Sequence, residues 1–77
     1  MIMNKLSMCK IGEKAKILKL HADYDLKQRL ISFGIMKNAE VEVLEHSASK
    51  NTMEIKIGKM KIALRSKEAE LIEVEIL

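Results

Sequence analysis

Apolar and polar residues alternate with a period of two along most of the chain, a pattern typical of β-strands with one buried face. It predicts strands over residues 15–21, 40–45, 53–57, 60–65 and 71–77. In the first strand the apolar phase flips between Ile17 and Leu18, which predicts a β-bulge or a strong bend. The dipeptide Gly58-Lys59 predicts a tight hairpin turn. Met53 and Met60, on the two strands of this hairpin, are expected to point inward.

Residues 25–35, DLKQRLISFGI, depart from this alternation and are typical of a short amphipathic helix. Leu26, Leu30 and Phe33 stand at positions i, i+4 and i+7, so they share one face, which is expected to pack on the core. The chain is therefore predicted to carry one helix, inserted after its first strand.

Both ends of this helix contain residues that favour a fixed boundary. Asp25 is predicted to be the N-cap, and Gln28, three residues later, would complete a capping box. Gly34 is predicted to end the helix in the left-handed conformation, and Ile35 would then contact Leu30. With both ends fixed locally, a short helix can still hold one position.

Shorter elements are predicted near the two ends of the chain. Residues 6–11 suggest a turn or helical stub that Ser7 caps. Met1 and Met3 are expected to belong to a disordered end. Ser66 is predicted to cap a single helical turn that runs to Ala69. The apolar residues of the first stub are expected to face inward; these are Leu6, Cys9 and Ile11.

Together these elements indicate a mostly β fold of roughly five short strands, with one short helix after the first strand and a terminal helical turn. The strands are too few and too short for a sandwich, and a small, partly open barrel of SH3-like or related type fits them. The 77 residues contain no proline and no shift in composition. We therefore predict a single domain over residues 1–77.

Composition narrows the functional classes. The net charge is +3, from 14 basic and 11 acidic residues that are spread along the strands, which favours a solvated surface over a nucleic-acid footprint. The single cysteine, Cys9, cannot form an intramolecular disulfide, which fits a reducing compartment. No apolar run approaches the ~18–20 residues needed to cross a bilayer, so a soluble cytoplasmic protein is expected.

Candidate chemistry is sparse. No nucleophile elbow, phosphate loop or catalytic constellation surrounds the serines, glycines and Cys9, so no enzymatic activity is expected. His21 and Asp23 are weak candidates for metal ligands; Fe²⁺ is conceivable, but the spacing of potential ligands does not support a site, and no cofactor is predicted. Tyr24 and Phe33 are the only aromatic residues, too few to stack on single-stranded nucleic acid.

The remaining expectation is a surface that binds a partner. Tyr24, next to the start of the helix, and Met36, just past its end, are predicted to be at least partly exposed, beside an apolar seam along the helix. Exposed apolar residues of this kind often mark contact sites, although they could equally well cover the core.

The order of the motifs over residues 6–74 resembles the FeoA family, the small ferrous iron transport protein A. The most specific pieces are Q-R-L at 28–30 with G-I at 34–35, and I-A-L-R at 62–65 with E-A at 68–69. Where this family often has Thr-Pro-Gly after the helix, the chain has M-K-N at 36–38. Asn38 is expected to keep the turn, because asparagine tolerates the left-handed conformation.

The resemblance implies an SH3-like barrel, no catalysis of its own, and a partner, the membrane GTPase transporter FeoB, through which alone the chain would meet a membrane. Similar modules end the metal-dependent repressors of the DtxR type, so the alternative is a metal-sensing domain. A small barrel that binds nucleic acid is a further alternative, although no nucleic-acid partner is predicted. An exposed barrel edge could support a weak homodimer.

Two arginines have two interpretations each. Arg29 either lies against the barrel and donates to loop carbonyls, which suits its planar guanidinium, or faces the GTPase. Arg65 has the same ambiguity, as a companion near the final helical turn. The candidate partner-binding residues are Tyr24, Leu26, Arg29, Met36 and Arg65.

Overall fold

Six antiparallel strands form one sheet in the computed structural model, which describes residues 3–77. In chain order they are β1 (Met3–Lys5), β2 (Lys14–Leu20), β3 (Glu40–His46), β4 (Thr52–Ile57), β5 (Met60–Arg65) and β6 (Ile72–Ile76). The spatial order is β1-β6-β2-β3-β4-β5, and β1 and β5 are its two edges, which leaves the barrel open between them.

Two short helices and one 3-10 turn connect the strands. The helix α1 (Tyr24–Ser32) lies between β2 and β3, and α2 (Ser66–Ala69) is a single turn between β5 and β6. A 3-10 turn, Leu6–Met8, follows β1. The predicted helix after the first long strand and the terminal helical turn are therefore confirmed.

The first strand was not predicted. Residues 3–5 pair antiparallel with β6, with Met3 opposite Glu75 and Lys5 opposite Glu73. The expectation of a disordered end at Met3 is wrong, and the described sheet has six strands instead of five; Met1 lies outside the described residues. Three residues are too few for alternation to show, and the strand exists because β6 offers it a partner.

The predicted bulge in β2 is confirmed. Ile17 lies opposite Val74, but Lys19 lies opposite the next residue, Glu73, so Leu18 is the extra residue. The register shift moves the inward phase of the strand, since both Ile17 and Leu20 are buried. A classical alternation would have exposed one of them.

The predicted hairpin at 58–59 is also confirmed, with Ile57 paired with Met60 across the turn. Gly58 has φ 59, a conformation that suits the first position of such a turn. Met53 is buried as expected, but Met60 is exposed and the prediction that it points inward is wrong. Met60 flanks the turn at the end of the sheet, and its side chain is 53% exposed there.

The N-terminal stub differs from its prediction in two details. Ser7 is not a cap, because the 3-10 turn begins after Lys5 and no side chain caps it. Ile11 is exposed instead of inward, since it precedes the turn at Gly12 that leads into β2.

Ser66 likewise does not cap α2 but is its first residue, and its hydroxyl donates to the Lys50 carbonyl at 2.5 Å.

One hydrophobic core lies inside the curled sheet and includes side chains from every connecting helix. Burial of each large apolar side chain contributes about 1.5–3 kcal/mol, so the stability of the domain depends on this cluster. The bulky fully buried members are Leu6, Ile17, Leu30, Ile35, Val43, Met53, Ile55, Ile72 and Val74.

Candidate partner-binding surface

The start of α1 is fixed by Asp23. Its Oδ1 accepts the backbone N–H of Leu26 at 2.9 Å, which satisfies one of the free donors at the helix N-terminus. The predictions that Asp25 is the N-cap and that Gln28 completes a capping box are therefore wrong. Tyr24 already has helical backbone, so Asp25 lies in the first turn, where its charge still favours the helix dipole.

The end of α1 has the predicted left-handed stop at Gly34, whose φ is +90. The Gly34 N–H donates to the Ile31 carbonyl at 2.9 Å, and the Ile35 N–H donates to the Leu30 carbonyl at 3.0 Å. These two bonds form a Schellman motif. Leu30 and Ile35 are both buried in the core, which anchors the last turn of the helix.

The segment after the helix is tied to β2. The Asn38 N–H donates to the Ile17 carbonyl at 2.7 Å, and the Ile17 N–H donates to the Ala39 carbonyl at 2.8 Å. Asn38 has φ 75, so the expectation that it keeps a left-handed turn is confirmed. These bonds hold Met36, which is 42% exposed, between α1 and β2.

A groove therefore opens between α1 and β2, and we call it the lysine-rimmed groove. Its apolar walls come from β2, from α1 and from Met36 in the segment that follows α1. Three lysines, one from each of these segments, stand among them. The lining residues are Leu18, Lys19, Leu20, Lys27, Ile31, Met36 and Lys37.

A second cleft lies on the other side of α1, against β5 and α2. Arg29 forms an ion pair with Glu68, and the other carboxylate oxygen of Glu68 accepts the Arg65 N–H at 3.0 Å. Glu68 thus connects the helix to the end of β5, where Phe33 and Arg65 also line the cleft. Because the pair is partly solvated, it contributes little stability and mainly orients the guanidinium of Arg29.

The two interpretations of Arg29 can now be compared with its surroundings. Its guanidinium contacts the Glu68 carboxylate, and the hydrogen bonds found among residues 3–77 include none from it to a loop carbonyl. The side chain is 58% exposed, so it remains accessible to a partner. Arg65 is exposed and lines the same cleft as Arg29.

The five predicted partner-binding residues do not share one surface. Met36 lies in the lysine-rimmed groove, whereas Arg29 and Arg65 lie in the cleft across the helix. Tyr24 is 75% exposed at the start of α1, and Leu26 is half-buried against the core. Phe33, assigned to the core face by its spacing, is partly exposed because it follows the last helical turn.

Sequence reasoning missed the lysines of the groove and Glu68. Lys27 could have been found, since it stands four residues before Ile31 and shares its side of the helix. Lys19 and Lys37 come from a strand and a loop, and only the fold brings them beside Lys27.

The weak metal candidates are occupied by other contacts. The His21 Nε2–H donates to Glu73 Oε1 at 2.8 Å, while the Asp23 carboxylate caps the helix. Across residues 3–77, no three histidine, cysteine, aspartate or glutamate side chains come together as a metal site would require. His46 lies elsewhere and donates from Nε2 to the Cys9 carbonyl at 2.8 Å.

The backbone carbonyl of Cys9 accepts this bond, and its thiol is buried. Burial, and secondly the negative charge of nearby Glu13, raises the pKa of the Cys9 thiol above its usual range. A protonated, buried thiol is a poor nucleophile, so Cys9 acts as a small apolar core residue.

Comparison with known proteins decides the family. A family model described as the FeoA domain matches residues 4–76. The chain belongs to the FeoA family. A Campylobacter jejuni relative that carries the name Fe(2+) transport protein A is 38% identical to this chain over 72 residues. The match covers 94% of this chain and 97% of that protein. The resemblance inferred from the motifs is thus confirmed.

Solved structures agree with the FeoA assignment. The solution structure of FeoA from Chlorobium tepidum has a TM-score of 0.91 at 31% identity and aligns with 96% of this chain and 70% of its own. The SH3-like architecture is therefore confirmed. A manganese-dependent transcriptional repressor shares the fold, with a TM-score of 0.89 at 22% identity, over 97% of this chain and 37% of the repressor.

The helices of this FeoA chain are short. Among the described residues, none forms a helix long and apolar enough to span a bilayer.

Proposed function

We propose that this chain is a non-enzymatic, cytoplasmic accessory protein of ferrous iron uptake that binds a FeoB-type GTPase transporter and modulates its transport. The observation that carries the proposal is the family match over residues 4–76, together with a relative named for Fe(2+) transport that aligns over nearly its whole length. The FeoB-type partner comes from the resemblance of the sequence motifs.

The surface around α1 supports a binding role. The helix is fixed at both ends by Asp23 and Gly34, so the surfaces on its two sides are held in place without a partner. Met36 and Tyr24 expose apolar area there, and Arg29 remains accessible beside Glu68. A rigid surface with exposed apolar and arginine side chains has the composition that protein interfaces favour.

Uptake of radioactive Fe²⁺ by cells tests the proposal. We expect cells that lack this chain but retain the transporter to take up ferrous iron at an altered rate, and the intact chain to restore the original rate. Cells that lack the transporter should show no response to the chain, which is the control. If uptake is the same with and without the chain while the transporter is present, the proposed function is wrong.

A metal-sensing domain is the second candidate, and the fold it shares with the manganese-dependent repressor is what favours it. This candidate predicts that the chain alone binds Fe²⁺ or another divalent metal and that His21→Ala removes the binding. Calorimetry that detects no heat of binding up to millimolar metal would eliminate it.

A further inference from the structure

The lysine-rimmed groove has an apolar floor that the fold leaves accessible. Leu18 is there because the bulge in β2 turns it away from the inward phase of its neighbours, and it is half-buried. Ile31 packs partly on the core from α1, and Met36 is exposed beside it. Side chains from a strand, a helix and a loop thus form one apolar strip at the surface.

The rim of the groove has one sign of charge. Lys19, Lys27 and Lys37 are all exposed, and no carboxylate is among the described residues that line the groove. Neither of the two ion pairs found within residues 3–77 includes any of these three lysines. Their ammonium groups are therefore available to a partner.

The acidic residue opposite Lys19 in the sheet forms no ion pair with it. Glu73 is opposite Lys19 in the β2–β6 register, but its carboxylate accepts from His21 at 2.8 Å. On the opposite side of α1, by contrast, Arg29 is already paired with Glu68. The two sides of the helix therefore differ: one has a satisfied ion pair, the other has three unpaired cations around apolar residues.

We infer that the lysine-rimmed groove binds an acidic amphipathic segment of the transporter, with apolar side chains on Leu18, Ile31 and Met36 and carboxylates facing the three lysines. This inference rests on the proposed function and specifies which side of α1 makes the contact. Charge complementarity identifies the segment, because a basic rim attracts an acidic partner and repels a basic one. An amphipathic segment in an apolar groove is a common mode of peptide recognition.

Calorimetry with the purified cytoplasmic domain of the FeoB-type transporter tests the inference. The groove variant carries Lys19→Glu, Lys27→Glu and Lys37→Glu. The matched control carries Lys56→Glu, Lys59→Glu and Lys61→Glu, three exposed lysines around the β4–β5 hairpin. Each variant replaces three positive by three negative charges, so the net charge of +3 becomes −3 in both (3 − 6). Far-UV circular dichroism establishes that both variants are folded.

We expect the groove variant to bind the transporter domain about tenfold more weakly or worse, because three attractive contacts become repulsive. The hairpin variant should bind within about threefold of the wild type, since it shares the long-range charge but not the contact. A Met36→Asp variant should also weaken binding, and wild-type binding should weaken as salt is raised.

The possible results separate the two claims. If the wild type and the groove variant bind the transporter domain equally well, the inference is wrong and the proposed function stands. If the wild type does not bind the transporter domain at all, both fail together. Two other occupants would also overturn the inference: wild-type chain that self-associates through the groove, or that binds vesicles containing phosphatidylserine while ignoring the transporter domain.

Discussion

Replacement of Gly34 by alanine isolates the energetic contribution of the left-handed stop at the end of α1. The backbone at Gly34 has φ +90, where a side chain is strained. A Cβ built there would lie 3.8 Å from Ile57 Cδ1, an ordinary van der Waals contact, so it adds no clash. The cost of Gly34→Ala is therefore conformational.

The magnitude follows from two opposing terms. The left-handed conformation costs a residue with a Cβ about 1–2 kcal/mol, whereas alanine gains ~0.4–1 kcal/mol because its unfolded chain is less free than that of glycine. We expect Gly34→Ala to lower the free energy of unfolding by about 1 kcal/mol. In a domain of this size that change lowers Tm by roughly 4–8 °C.

Urea and thermal unfolding, followed by far-UV circular dichroism, measure this effect. The denaturant slope should stay constant, which shows that the folded state is unchanged. Gly34→Asn is the matched comparison and should cost less than alanine, because asparagine tolerates the left-handed region. An alanine variant as stable as the wild type, or an asparagine variant less stable than the alanine one, would refute the reasoning.

Three further predictions concern the ends of the helix, the core and the buried thiol. Asp23→Ala should lower the free energy of unfolding by about 1 kcal/mol in urea titrations, whereas Asp25→Ala, which removes no cap, should cost less than half as much. Leu30→Ala should cost about 2–5 kcal/mol in the same assay, since Leu30 is 1% exposed in the core. Burial and the charge of Glu13 raise the pKa of the Cys9 thiol. The pKa of the thiol is therefore higher in the folded chain than in the unfolded chain. The stability that the protonated thiol contributes is fully present below the pKa of the unfolded chain, and it is lost as the pH rises through the pKa of the folded chain. The stability of the wild type should therefore fall, relative to Cys9→Ala, as the pH rises above the ordinary thiol range.

Each of these three predictions would be contradicted by a specific outcome. Equal losses in Asp23→Ala and Asp25→Ala would contradict the assignment of the cap. A cost below ~1 kcal/mol for Leu30→Ala would show that α1 does not depend on the core. Parallel pH profiles for the wild type and Cys9→Ala would show that the thiol has the same affinity for its proton in the folded and unfolded chains.

The elements that sequence could predict are those whose cause is local. The alternation around Val41 and Val43, the phase flip at Ile17 and the stop at Gly34 all arise from neighbouring residues, and each is confirmed. The N-cap was misplaced by two residues, since Asp23 and Asp25 are chemically equivalent candidates. Only the backbone of Tyr24, already helical, decides between them.

The elements that sequence could not predict depend on distant partners. Residues 3–5 become a strand only because β6 lies beside them. Glu68 meets Arg29 across 39 positions, so no local pattern could have paired them. The separation of Arg29 from Met36 onto opposite sides of α1 likewise requires knowledge of how the helix lies on the sheet.

The central claim, that this FeoA chain binds a FeoB-type transporter, is tested most directly by an amide NMR titration. The labelled chain would be titrated with the cytoplasmic domain of the transporter, with and without a GTP analogue. The account predicts saturable shifts that cluster on residues 24–37 and the end of β2, whereas the β3–β4 loop at 47–51, which does not line the groove, should remain unmoved. Spectra that stay unchanged at concentrations far above those of a specific complex would contradict it.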